Sequence, residues 1–160
     1  MGIKITRYVS LVLLLVWMGV IFAFSAQDGK DSGEVSQGVV VKVAEMVYPD
    51  YDKLNEPEKQ KVVNRFNIPV RKTAHFSEFF LLGGIAFVFF ATFKEFSLKM
   101  KAFLPFILGV IYSVTDEIHQ LLVTGRACRV LDMCIDSAGV LLAVLIGYLI
   151  FRKTRSDGVG

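Results

Sequence analysis

Two cysteines and two histidines are all that this 160-residue chain offers for thiol or imidazole chemistry. Cys128 and Cys134 form no CxxC pair, so neither a zinc ribbon nor a dithiol redox centre is expected. The chain has no GxSxG elbow and no glycine-rich phosphate loop, which removes the hydrolase and NTPase readings built on them. Its basic residues do not form a stripe interleaved with aromatics, and a net charge of +3 makes no case for nucleic acid. Internal repeats are absent too. The most telling lack is of charge itself over long stretches. Tyr8 to Ala26 has none, Phe76 to Phe93 has only Glu78, Ala102 to Thr115 has none, and Met133 to Phe151 has only Asp136.

What fills those stretches is apolar. The chain is 54% hydrophobic with mean hydropathy +0.54, above what a soluble domain of this size carries. A membrane span needs about 20 apolar residues. The pattern predicts an all-α, polytopic membrane protein, one integral membrane domain over 1–160. Four transmembrane helices fall near 8–26, 74–93, 102–123 and 133–151. The third span reaches its length only by running through Asp116-Glu117 to Val123. The tail after Arg155 reads as unstructured.

Lysine and arginine in short flanks set orientation. Lys4 and Arg7 precede the first span, Lys94, Lys99 and Lys101 separate the second and third, and Arg152, Lys153 and Arg155 follow the fourth. The opposite side has only Arg126 and Arg129 in its short loop, and as many acidic as basic residues in its long one. The bias places both termini in the cytoplasm and two loops outside a cytoplasmic (inner) membrane. A cleaved signal peptide over 1–25 is the competing reading, with Ala23-Phe24-Ser25 as its cleavage site.

Short helices are expected in the long outer loop, 27–72. Asp31 or Ser32 starts one that runs through Val35, Val39, Val43 and Val47, although β-branching weakens it. Asn55-Glu56-Pro57-Glu58 starts a second, with proline in the first turn. It runs to about Phe66, where Asn67-Ile68-Pro69 is expected to break it before the second span. Amphipathic helices here would lie on the outer leaflet or cover the bundle mouth.

Ionisable groups inside a span are costly and are functional candidates by default. Two stretches hold most of them: Arg71 to Glu78, and Asp116-Glu117-Ile118-His119-Gln120. Residues three or four apart share a helix face. Arg71, His75 and Glu78 follow that spacing, with Lys72 beside His75. Asp116, His119 and Gln120 share a face, with Glu117 at its flank. Asp132 and Asp136 share one with Gly139, Ala143 and Gly147, small residues that let helices approach closely in membranes. The acidic face of the fourth span is therefore expected to point into the bundle, and Arg71, Arg126 and Arg129 are expected to pair with Asp116, Glu117, Asp132 or Asp136.

The ordered set of pieces resembles a known family. Arg71-Lys72-x-Ala74-His75-x-x-Glu78-Phe79, Asp116-Glu117-x-His119-Gln120, Gly125-Arg126 and Asp132-x-x-x-Asp136-x-x-Gly139 look like the VanZ-like membrane family, as does Phe24-Ser25-Ala26-Gln27 at the end of span one. The match covers about residues 8–151. It implies a small bacterial membrane protein with a role in the cell envelope. The family's namesake is associated with low-level resistance to the glycopeptide teicoplanin. The resemblance supplies no reaction.

Three chemistries fit these residues. In the first, Arg71, Lys72, Arg126 and Arg129 meet the phosphate or carboxylate of an amphiphile, such as a lipid-linked cell-wall component or a lipidated glycopeptide. Glu117, Gln120, Asp132, Asp136, Ser25 and Gln27 complete that ligand site, and membrane lipids are the other partners. In the second, His75 or His119 is a general base oriented by Glu78 or Asp116, in an intramembrane enzyme acting on a lipid phosphate or ester. In the third, His-x-x-Glu and Asp-x-x-His from two helices hold a metal, as in carboxylate-bridged bundles. Nearby basic groups oppose a cation there, so no metal or cofactor is expected. The bland reading is that charged helix ends lock four helices together.

Overall fold

The computed structural model describes residues 2–26, 31–124 and 128–157. Five α-helices make up the chain: α1 (Gly2–Ser25), α2 (Asp31–Val47), α3 (Glu56–Ala91), α4 (Leu98–Gln120) and α5 (Val130–Asp157), with a 3-10 turn at Tyr51–Lys53. Four of them, α1, α3, α4 and α5, are long and apolar enough to cross a membrane. Each of the four also turns much apolar surface outward, for example Val12 and Val16 on α1, Val88 on α3, Ile111 on α4 and Leu145 and Leu149 on α5. In water that surface would be a liability. In lipid it costs nothing, because acyl chains are as apolar as leucine.

Helix α3 is the hub and packs against all four others. It starts where the sequence places it, at an Asn55 cap: the Asn55 side chain accepts from the Glu58 N–H, the Glu58 carboxylate accepts from the Asn55 N–H, and Pro57 occupies the first turn. It does not break at Asn67-Ile68-Pro69. One helix of 36 residues runs through Pro69 to Ala91. At 1.5 Å per residue it is about 54 Å long, well beyond the roughly 30 Å of a hydrocarbon core. Proline removes one backbone bond, to the carbonyl of Arg65. Both Pro69 and Arg65 are exposed, so solvent can satisfy that carbonyl, and the helix continues.

The first half of α3 is held by α2. Val40 and Ala44 of α2 pack with Tyr51, Val62 and Val63 in a small second core, flanked by Val41, Leu54, Phe66 and Val70. The inward stripe of α2 is therefore not the one through Val39 and Val47, which are exposed.

The main core joins Leu14 and Ile21 of α1, Phe79, Leu82, Ala86 and Phe87 of α3, and Val140 and Val144 of α5. Glycines set how closely these helices approach. A Cβ on Gly139 would overlap the Phe76 carbonyl oxygen of α3. One on Gly83 would stand 2.9 Å from the Val140 backbone, and one on Gly109 would stand 2.6 Å from the Val140 methyls. Val140 is thus a knob seated between two glycines of α3 and α4. At the end away from Asp116 and Asp136, two cations close the last turn of α3. Arg7 donates to the Thr92 carbonyl and hydroxyl at 2.9 and 3.1 Å, and Lys101 donates to the Ala91 carbonyl at 3.0 Å. Cations belong at the negative end of a helix dipole.

The glycine contacts give a test. Gly139→Ala is expected to lower stability by roughly 1–3 kcal/mol through overpacking. Gly84→Ala, whose Cβ would meet nothing within 4 Å, is expected to be neutral or to gain up to about 1 kcal/mol of helix propensity. Unfolding of both variants in detergent micelles checks the order, and the reverse order would overturn the α3–α5 contact.

Candidate functional site

Because α1 and α4 run toward one end of the bundle while α5 runs away from it, the C-terminal turns of α1 and α4 meet the first turns of α5. The middle of α3 passes beside them. That end gathers Ser25, Lys72, His75, Asp116, Glu117, His119, Gln120, Asp132 and Asp136. The polar spacing read from the sequence therefore becomes one polar end contributed by four helices.

Three carboxylates there are buried: Asp116 at 2% exposure, and Glu117 and Asp136 at 0%. Each is partly satisfied. Asp116 Oδ2 accepts from Ser25 Oγ at 2.8 Å and from Gln120 Nε2 at 2.9 Å. Glu117 Oε2 accepts from the Arg129 backbone N–H at 2.8 Å, and the Cys128 thiol also hydrogen-bonds this carboxylate. Asp136 Oδ2 accepts from Ser113 Oγ at 3.1 Å, and its Oδ1 lies 3.8 Å from His75 Nδ1. Asp116, Glu117 and Asp132 are close enough to Asp136 for their charges to act on it. Just outside the spans, burial and then the Glu117 charge and hydrogen bond push the Cys128 thiol pKa up. That thiol is therefore a donor to Glu117 and no thiolate nucleophile.

The second oxygen of each acid is different. Asp116 Oδ1, Glu117 Oε1 and Asp136 Oδ1 are buried and accept no hydrogen bond, and His119 Nδ1 is buried without a hydrogen-bond partner. The His119 ring stacks on Phe22 of α1, 4.1 Å between centroids and 22° between planes.

The cations are arranged otherwise than the sequence suggested. Among the described residues, Lys72 and not an arginine pairs with Asp132, and His75 is the basic group nearest Asp136. Arg71 is exposed and makes no ion pair among the described residues. It precedes Lys72 by one residue, about 100° around the helix, so the two cannot face the same partner. Arg129 is exposed and reaches Glu117 through its backbone. Arg126 and Gln27 lie outside the described residues. Glu78 is half-buried, and its backbone carbonyl accepts from Trp17 Nε1 at 2.9 Å.

The VanZ/LLP1 family profile matches residues 10–152. The chain belongs to that family. No curated protein and no solved structure matches it. The motif residues of this VanZ/LLP1 chain are the ones its fold gathers at the polar end.

Several residues that complete this end were not singled out from the sequence: Ser113, Phe22, Trp17, Tyr112 and Cys128. Ser113 was the most readable, since it lies three residues before Asp116 and shares its face. Tyr112 donates to the Met18 carbonyl at 2.5 Å and ties α4 to α1. An indole or phenol bonding a backbone carbonyl of another helix has no sequence signal.

No group of three or more His, Cys, Asp or Glu side chains among the described residues is arranged to hold a metal ion. The His-x-x-Glu and Asp-x-x-His pairs do not assemble into a metal-bridged set. What the arrangement offers instead is hydrogen-bond acceptance and proton exchange in a setting where charge is costly.

The Lys72–Asp132 pair at the rim, with 24% and 18% of its side chains exposed, is expected to be coupled. Lys72→Ala and Asp132→Ala should each lower stability, and the double variant should lose less than the sum, by roughly 0.5–3 kcal/mol. A thermal-unfolding cycle on the four proteins measures this, and strict additivity would show that the two do not interact.

Proposed function

We propose that this protein is a bacterial cell-envelope membrane protein that binds the head group of an amphiphile at its polar end. The amphiphile is a lipid-linked wall component or a lipidated glycopeptide. One observation carries the reading: four helices bring three buried, incompletely satisfied carboxylates and two imidazoles to a single end of the bundle. Holding four helices together does not require acids with open oxygens. Arg71 and Arg129, exposed at the rim, are free to meet phosphate or carboxylate, as guanidinium groups do. Binding of a lipidated glycopeptide would alter susceptibility to teicoplanin.

Orientation follows from the opposite end. Lys4, Arg7, Lys94, Lys99, Lys101, Arg152, Lys153 and Arg155 all lie there, at the start of α1, between α3 and α4 and at the end of α5. By the positive-inside rule that end and both termini are cytoplasmic, and the polar end faces out of the cytoplasmic membrane. In a background with Cys128→Ser and Cys134→Ser, an impermeant maleimide added to intact cells is expected to label Thr124→Cys and to reach Lys99→Cys only after lysis. The opposite pattern would place the site inside.

A second reading is favoured by His75 standing 3.8 Å from buried Asp136, with Ser113 hydrogen-bonded to the same acid. An imidazole oriented by a carboxylate is an acid–base unit, suited to an intramembrane enzyme cleaving a lipid phosphate or ester. Native mass spectrometry tests both. The wild type is expected to carry a phospho- or polyprenyl-lipid that Arg71→Ala with Arg129→Ala loses. His75→Gln with His119→Gln should keep the lipid if the protein only binds, and should accumulate an uncleaved species if it is an enzyme. Equal retention of lipid by the arginine variant would overturn the binding reading.

A further inference from the structure

The same site carries a statement about the chemistry of its ligand, and this inference rests on the amphiphile-binding reading. The floor of the polar end is built entirely of acceptors. Asp116 Oδ1, Glu117 Oε1, Asp136 Oδ1 and His119 Nδ1 are four buried atoms on four side chains, none with a hydrogen-bond partner. Native proteins rarely leave such atoms unpaired, and each one calls for an explanation. Four in one cluster call for a shared one.

The rest of the cluster narrows the choice. Every nearby protein donor is already directed elsewhere: Ser25 and Gln120 to the other oxygen of Asp116, Ser113 to the other oxygen of Asp136, and the Arg129 N–H and Cys128 to Glu117. Lys72 is held at the rim by Asp132. Among the described residues, the single group able to place positive charge against the floor is His75, and it faces only Asp136. The four orphan atoms therefore need both donors and positive charge. Water supplies donors without charge. A quaternary ammonium supplies charge without donors. A metal ion needs ligands gathered more tightly than these are. A primary ammonium supplies three N–H donors and a full charge, and its hydrogen bonds to carboxylates are of the strong, charge-assisted kind.

We propose that the cluster of Asp116, Glu117, Asp136 and His119 receives a primary ammonium group on the head of the bound amphiphile, while the exposed arginines at the rim meet its phosphate or carboxylate. The recognised class is then a zwitterionic or amine-bearing amphiphile, and the ligand is sorted by the substitution of its nitrogen.

The test compares lipids that differ only there. Purified protein in nanodiscs of phosphatidylglycerol is titrated with phosphatidylethanolamine or phosphatidylcholine of the same acyl chains, and bound lipid is counted by native mass spectrometry. Octadecylamine, which has the ammonium and no phosphate, is the competitor. Phosphatidylethanolamine is expected to bind at least about tenfold more tightly than phosphatidylcholine, reflecting three charge-assisted bonds that the trimethylated head cannot make. Octadecylamine should displace it. Glu117→Gln and Asp136→Asn, close in shape to the wild type, should abolish the preference. Arg71→Ala with Arg129→Ala should weaken both phospholipids alike and leave the preference intact. Equal binding of both heads by the wild type, lost in the arginine variant, would overturn the ammonium inference while leaving the amphiphile reading standing. A preference that survives in both folded carboxamide variants would overturn it as well. Absence of any lipid from the wild type would overturn both readings. The wild-type comparison decides even where a variant fails to fold.

Discussion

The close approach of α3 and α5 is the contact on which the polar end depends. With no Cβ on Gly139, the α5 backbone settles against the Phe76 carbonyl, and Gly83 answers by admitting Val140. Neighbouring helices in lipid gain little from apolar burial alone, so close packing has to supply the association. Here it also fixes registration. His75 lies one residue before Phe76, and Asp136 lies three before Gly139, so the glycine contact brings imidazole and carboxylate to 3.8 Å. One turn further out, the same registration pairs Lys72 with Asp132. A larger residue at 139 would separate the helices and pull apart both pairs.

That registration has an energetic consequence. Carboxylates within a span are expensive, by around 3 kcal/mol each at a helix centre on insertion scales, and α4 and α5 bury three between them. The chain offsets part of this with neutral donors: Ser25, Gln120, Ser113, the Arg129 N–H and the Cys128 thiol. Neutral donors solvate an acid but do not cancel its charge. A fold selected only for stability would replace such residues with packed apolar ones, which is often neutral or better. The acids therefore act as a cost accepted for what they can hold, and that argument motivates a ligand where a purely architectural account of them fails.

Much of this was readable from the residues. The charge-free runs gave four spans, because length and hydropathy are direct consequences of bilayer thickness. The spacing of Asp132, Asp136, Gly139, Ala143 and Gly147 gave the inward face of α5, because three and four residues make a turn. Pro69 misled because a proline's effect depends on whether the carbonyl it frees can be hydrated, and exposure at Arg65 is a property of the fold. The pairing of cations misled for a related reason. Arg71 and Lys72 are adjacent in sequence but point in different directions, and only the rotation of α3, set by Phe79, Leu82 and Ala86 in the core, decides which one faces Asp132. The bond from Trp17 to a backbone carbonyl of α3 left no trace in the sequence at all.

The two ends of the bundle treat charge in opposite ways, and the contrast bears on function. At the end with Arg7 and Lys101, the buried cations are satisfied. Arg7 spends two donors on Thr92 and lies 4.0 Å over the Phe93 ring, and Lys101 bonds the Ala91 carbonyl and faces the Phe151 ring. Those residues complete a helix terminus and anchor it, and their chemistry is used up in doing so. At the other end the acids keep an unused oxygen apiece and His119 keeps an unused nitrogen. Anchoring explains the first pattern fully. It leaves the second unexplained, since a structural hydrogen-bond network gains most when every member is satisfied and loses most when some are not. A site that must accept and release a partner has the opposite requirement: its acceptors have to remain open in the protein so that the ligand can close them.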